Sequence, residues 1–146
     1  MRLKIKKIHP NAEMPTLGTA GAACFDLYAA EDVIFGGGQT KAVPTGLAFE
    51  VPEGYCMTIY SRSSSFAKLG LTIVPLIVDS DYRGEVMVFA RYEVHYDRSY
   101  PISIRIKKGQ RIAQFKIERL EPTELVEVDE LSQTERGAGG YGSTGV

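Results

Sequence analysis

The feature that most constrains this chain is its punctuation. Short apolar runs of three to eight residues recur along it, many of them set off by glycine or proline. Leu3, Ile5 and Ile8 alternate approximately with lysines, which predicts a half-exposed strand rather than a nuclear-localisation cluster. Further strands are predicted at Cys24–Ala29, Lys41–Val43, Leu47–Val51, Tyr55–Tyr60, Leu71–Val74, Val86–Tyr92, Ile102–Ile106, Arg111–Glu118 and Leu125–Val128. Between them lie Pro10-Asn11, Gly36-Gly37-Gly38, Pro44, Pro52-Glu53-Gly54, Gly84, Gly109 and Pro122. Such residues supply positive φ, fixed φ or local side-chain bonds. No dozen residues keep an i, i+3, i+4, i+7 apolar stripe, and only Ser64–Leu69 has room for a helical turn. The expectation is an all-β sandwich, jelly roll or barrel.

A chain of 146 residues supports one core but is short for two. Apolar residues at 44% and charged residues at 24% argue against disorder. A net charge of −1 gives no long-range pull on nucleic acid, so any phosphate must be met by a few placed groups. No run approaches a membrane span, and residues 1–8 do not have the form of a signal peptide. A cytoplasmic location is therefore the default expectation. Cys24 and Cys56 sit in apolar contexts and are expected as unpaired, buried thiols. His9 and His95 have no metal-ligand partner at useful spacing and are expected as surface or hydrogen-bonded groups.

The chain end is different in kind. Residues 136–146 are rich in glycine and also carry Arg136, Tyr141, Ser143 and Thr144. One reading is an unstructured terminus. The other is an anion-binding arm, because glycine lets backbone N–H groups approach phosphate oxygens. On chemistry alone the two stand level. The chain accordingly divides into a β-domain over 1–135 and an arm over 136–146.

Four further polar clusters have no obvious structural use in a β-protein. Asp26 is a lone carboxylate in an apolar strand, and Arg62-Ser63-Ser64-Ser65 joins a guanidinium to hydroxyls. Asp79-Ser80-Asp81-Tyr82-Arg83-Gly84 follows an apolar run, and Gly109-Gln110-Arg111-Ile112-Ala113-Gln114 opens a strand. Each alone is weak, since polar loops usually face solvent. In this order, with the tail, they resemble the five motifs of the trimeric dUTPase family, from about Ala22 to Val146.

The resemblance implies a jelly-roll-like distorted β-barrel. It also implies a homotrimer with sites between subunits and a flexible glycine-rich C-terminal arm that closes over bound nucleotide. The implied reaction is hydrolysis of dUTP to dUMP and pyrophosphate with Mg²⁺. By motif position, Asp79 activates the attacking water and Tyr82 packs under the deoxyribose, excluding a 2′-hydroxyl. Asp26 reaches Mg²⁺ through water, while Arg62, Ser63, Ser64 and Gln114 meet the phosphates. Arg136, Gly142, Ser143 and Thr144 hold the terminal phosphate, and Tyr141 stacks on uracil where the family usually has phenylalanine. A regulatory protein partner is left open.

Three positions depart from the family pattern. Val74-Pro75-Leu76 replaces a glycine-containing turn in the uracil-binding hairpin, Cys24 stands where glycine is common, and Gln110 where aspartate is common. Proline has no N–H to offer, and valine and leucine resist positive φ. The rival readings are a dCTP deaminase-type relative, a dUTPase-like regulatory module and a structural trimer of the TNF or lectin type. The first needs an additional glutamate near the base, for which no placement is found. The second has no need of Asp26, Asp79, Tyr82, Gln114 and Arg136 together. The third leaves the tail and the Asp79–Tyr82 loop without a role.

Overall fold

The computed structural model describes residues 1–93 and 102–140. Its strands are β1 (Lys4–Lys7), β2 (Thr16–Leu17), β3 (Phe25–Tyr28), β4 (Val33–Gly36), β5 (Thr40–Glu50) and β6 (Tyr55–Ser61). They continue with β7 (Leu71–Ile73), β8 (Leu76–Val78), β9 (Glu85–Tyr92), β10 (Ser103–Ile106) and β11 (Arg111–Arg119), and the helix α1 spans Ser63–Leu69. All pairings are antiparallel. One sheet runs β1-β5-β9-β7 and a second runs β2-β3-β11-β6-β8, with β10-β4 as a separate ribbon. The result is a jelly-roll-like distorted barrel.

Alternation explains the burial. Val86, Val88, Ala90 and Tyr92 of β9 face inward and are buried, as are Met57 and Ile59 of β6 and Phe115 of β11. Phe49 of β5 meets Phe115 edge-on at 5.5 Å, so the two large sheets pack through one aromatic contact. Val43, Leu47, Phe35, Ile106 and Ile112 belong to the same core.

Most predicted strands are present, and so is the helical turn, which ends at Gly70 in a left-handed conformation with φ 63°. Three expectations need correcting. Lys41–Val43 and Leu47–Val51 form one strand, because Pro44 sits beside a bulge: the register passes from Pro44↔Met87 to Ala48↔Glu85. Leu125–Val128 is not a strand, and Leu125 is 93% exposed, since no neighbouring strand of its own chain accepts it. Most consequentially, β7 and β8 do not form a hairpin. β7 pairs with β9 and β8 with β6, so the chain changes sheets across Val74-Pro75. Val74 still donates its N–H to Phe89 at 2.8 Å, and Pro75, with none to give, marks the exit. The strands β2, β4 and β8 were not predicted; β2 has only two residues, β4 ends in the glycine run that reads as a turn, and β8 starts at Leu76, in the stretch read as the hairpin turn.

Cys24 and Cys56 are both free, Cys56 buried and Cys24 only half-buried. His9 accepts the Asn11 N–H at Nδ1 and lies 3.5 Å from Glu31, whereas His95 falls outside the described residues.

Candidate active site

The predicted site residues fall into two cavities. The first, of about 310 Å³, is lined by Gly18, Thr19, Cys24, Asp26, Arg62, Ser63, Ser64, Arg111 and Gln114. Three strands and a turn assemble it. β11 runs between β3 and β6, so Gln114 stands opposite Asp26 on one side and Tyr60 on the other. Arg62 follows β6 and caps α1, whose first turn presents Ser63 and Ser64. Ser65 faces inward and donates its hydroxyl to the Ile112 carbonyl at 2.9 Å, fastening the turn to β11.

At its centre Asp26 is only 6% exposed. Arg62 Nε lies 2.7 Å from its Oδ1, and Arg111 Nη1 lies 3.2 Å from its Oδ2. One buried carboxylate thus orders two guanidiniums. Their charges exceed its own by one, leaving a cavity suited to an anion. Gln114 donates its amide to the Ser61 carbonyl at 2.9 Å, which fixes its orientation.

Arg111 is the functional residue that the sequence reading did not assign to ligand binding. In a regular strand, Arg111 and Gln114, three apart, would face opposite sides. The register shift between Arg111 and Ala113 restores them to one side. The unusual Gln110 does not touch Arg111; its Oε1 accepts the Lys107 N–H at 3.0 Å, and Asp26 anchors the arginine instead.

The second cavity, of about 290 Å³, is lined by Leu76, Ile77, Val78, Asp79, Tyr82, Glu85, Val86, Met87 and Phe89. Its walls are mainly apolar side chains of β8 and β9, and Asp79 and Tyr82 come from the connection between these strands. Asp79 is exposed, and its carbonyl accepts the Tyr82 N–H at 3.2 Å. Arg83 donates to the Ser80 carbonyl at 2.6 Å and the Tyr82 carbonyl at 2.9 Å, bracing the loop from within. The side-chain contribution of Glu85, Met87 and Phe89 could not be read beforehand, since it depends on which face of β9 turns outward.

Arg62 and the Asp79 loop lie towards opposite ends of β6. The register Met57↔Val78 leaves Asp79 beyond the Cys56 end, while Arg62 follows the other end. Six residues of extended chain separate the level of Asp79 from Arg62, about 20 Å at ~3.3 Å per residue, while Leu76 at the near end of the second cavity pairs with Ile59. Arg136 joins neither cavity; its Nε donates to the Gly139 carbonyl at 2.8 Å. Tyr141, Gly142, Ser143 and Thr144 lie outside the described residues.

Among the described residues no group of three or more His, Cys, Asp or Glu side chains could hold a metal. Asp26 has both oxygens engaged by cations, yet each retains acceptor capacity. It fits a hydrated metal ion as a partner through water and does not fit one as a direct ligand cage.

The model of the dUTPase family matches residues 10–145. A deoxyuridine 5'-triphosphate nucleotidohydrolase of Nautilia profundicola is 46% identical over 147 residues, covering 99% of each chain. One from Thermobifida fusca is 42% identical over 99% of this chain and 79% of its own. Among solved structures, the Staphylococcus bacteriophage 80alpha dUTPase G164S mutant with dUpNHpp superposes with a TM-score of 0.90. It has 30% identity and 99% coverage of both chains. Sequence, fold and the two cavities agree: this chain is a member of the dUTPase family.

Proposed function

We propose that this chain hydrolyses dUTP to dUMP and pyrophosphate in a site completed by neighbouring copies of itself. The observation carrying this reading is the separation of Asp79 from the anion cavity. In a deoxynucleoside triphosphate the attacked α-phosphorus lies a few covalent bonds from the sugar ring. In one copy Asp79 and the anion cavity are about 20 Å apart along β6, too far for one phosphate chain to meet both. Bringing the anion cavity of one copy against the Asp79–Tyr82 cavity of the next removes the conflict. Closed assembly of identical copies is the ordinary solution, and a trimer is the form proposed here.

The exposed stretch after β11 supports the same assembly. Leu125, Val126, Val128 and Leu131 are more than half exposed, along a segment exposed at every residue from 121 to 138. Burying them against another copy would recover roughly 1.5–3 kcal/mol for each side chain fully covered. The segment would then deliver residues 136–146 to a neighbouring site. There Arg136, Ser143, Thr144 and the Gly142 backbone meet the terminal phosphate, and Tyr141 stacks on the base.

In the assembled site Arg62, Ser63, Ser64, Gln114 and Arg111 hold the phosphates, and Asp26 keeps the two guanidiniums aimed. Asp79 orients a water and accepts its proton as the water oxygen bonds to the α-phosphorus. The bond from that phosphorus to the bridging oxygen breaks, and pyrophosphate leaves with the electron pair. Tyr82 lies under the deoxyribose and leaves no space for a 2′-hydroxyl. Mg²⁺ is the proposed metal; Asp26 would hold it through water, and it would supply charge neutralisation to the triphosphate.

Pyrophosphate release from dUTP, dTTP, dCTP and UTP, each with Mg²⁺ and with EDTA, tests this reading. Fast release from dUTP alone, abolished by EDTA, is expected. No release from any nucleotide by a folded assembly would remove the enzymatic reading.

A further inference from the structure

Tyr82 has a specific task but little to hold it. It is 46% exposed, so burial does not fix its ring. Two contacts do. The ring lies against Gly84, where an added Cβ would fall 2.5 Å from Tyr82 Cζ. Its hydroxyl donates to the Glu85 carbonyl at 3.0 Å. The ring is therefore only as fixed as the backbone at Glu85.

Glu85 is tied down in an unusual way. Opposite it, β5 places Thr45, Gly46 and Leu47 against Val86 alone. The extra residues turn the Gly46 N–H outward, and Glu85 Oε1 accepts it at 2.7 Å. Gly46 has φ 67°, and a Cβ there would fall 2.7 Å from His9 Cβ and 2.8 Å from Ala12 Cβ. Only glycine fits. Thr45, fully buried, donates its hydroxyl to the Val86 carbonyl at 2.6 Å, and the Gly46 carbonyl accepts the Ile8 N–H at 2.9 Å. Strand β1, the β5 bulge and the start of β9 are thus pinned together one residue from the loop that carries Tyr82.

We propose that Glu85 is a positioning residue for sugar selection. Its carboxylate anchors to the Gly46 bulge, its carbonyl holds the Tyr82 hydroxyl, and together they keep the ring where it rejects a 2′-hydroxyl. The inference rests on the reading of Tyr82 as the residue beneath the sugar. A neutral glutamine at position 85 still offers an oxygen to Gly46, whereas alanine offers none. A phenylalanine at position 82 removes the hydroxyl alone, from a half-exposed ring, and leaves the fold intact.

The test is kcat/KM for dUTP and UTP in the native protein and in Glu85→Ala, Glu85→Gln, Tyr82→Phe and the Glu85→Ala/Tyr82→Phe double variant, with folding checked by circular dichroism. Glu85→Ala is expected to lower the dUTP-over-UTP ratio roughly tenfold, the scale of a small misplacement in a site. Tyr82→Phe should do the same, the double variant no more, and Glu85→Gln should restore the native ratio. An unchanged ratio in Tyr82→Phe overturns the proposal, even if Glu85→Ala fails to fold. So does a Glu85→Ala protein that melts earlier but selects as well as native. A native protein inactive on dUTP would instead overturn the reading of the site itself, and this inference with it.

Discussion

The two cavities are held in opposite ways. The anion cavity is built from side chains on central strands, with a buried carboxylate at its heart and each guanidinium already paired. The second cavity borders an edge strand, and its Asp79 and Tyr82 sit on an exposed loop braced by the Arg83 side chain against the loop's own carbonyls. The charged groups of one are paired within a single copy; Asp79 of the other, the proposed catalytic carboxylate, faces solvent. The difference teaches where each should fail: damage to the first should unfold the protein, and damage to the second should silence it.

The sharpest test of that contrast is Asp79→Asn. With the base neutralised and nothing buried disturbed, kcat should fall about 10³-fold while nucleotide affinity and melting temperature stay near native. Calorimetric titration with a non-hydrolysable dUTP analogue checks the affinity, and unchanged turnover would remove Asp79 from the mechanism. In the other cavity, Asp26→Ala leaves two guanidiniums facing each other without their carboxylate. A loss of about 1–3 kcal/mol is expected in urea melts, because two charged hydrogen bonds are lost while Arg111, half exposed, stays solvated. A variant as stable as native would show that Arg62 and Arg111 need no internal counter-charge.

Deleting residues 136–146 should leave the folded assembly intact and lower kcat/KM for dUTP on the order of hundredfold, through lost phosphate contacts. Sedimentation and steady-state rates measure the two halves of that statement; full activity would return the tail to the unstructured class. The smallest effect is expected at an ion pair that lines neither cavity. Lys116, 2.8 Å from Glu118, holds that carboxyl below its ordinary value of 4.5, with help from Thr58. Because the folded value is the lower one, the stabilisation is complete above pH 4.5 and fades as pH falls through the depressed value. Glu118→Gln should therefore lower the melting temperature slightly at neutral pH, converge with the native protein as pH falls, and so flatten the acid limb of the stability profile. Thermal melts from pH 3 to 7 would show it, and parallel curves would refute the coupling.

Much of this was legible in the residues. The turn residues announced a β-protein, and the order of Asp26, Arg62, Asp79, Gln114 and the tail announced the family. Illegible were the features that depend on what lies across a sheet. The break at Pro44 looked like a strand end, but an opposing strand carries the chain through it by a bulge. Val74-Pro75 looked like the tip of a hairpin, whereas β7 and β8 have better partners in β9 and β6. Leu125–Val128 has the composition of a strand, but a strand needs a neighbour that this chain alone does not supply. Arg111 escaped attention because one bulge inverted its side, and Glu85 because its partner lies 39 residues away.

By itself, then, the sequence determined which residues could do chemistry and the kind of fold that could hold them, since turn propensity and alternation are local. Only the tertiary structure decided which of those residues meet. It gave Asp26 two arginines and Tyr82 an anchor on the Glu85 carbonyl, and it set Arg62 and the Asp79 loop towards opposite ends of β6. Register and bulges fix those encounters, and both come from pairing energies between segments far apart in the chain.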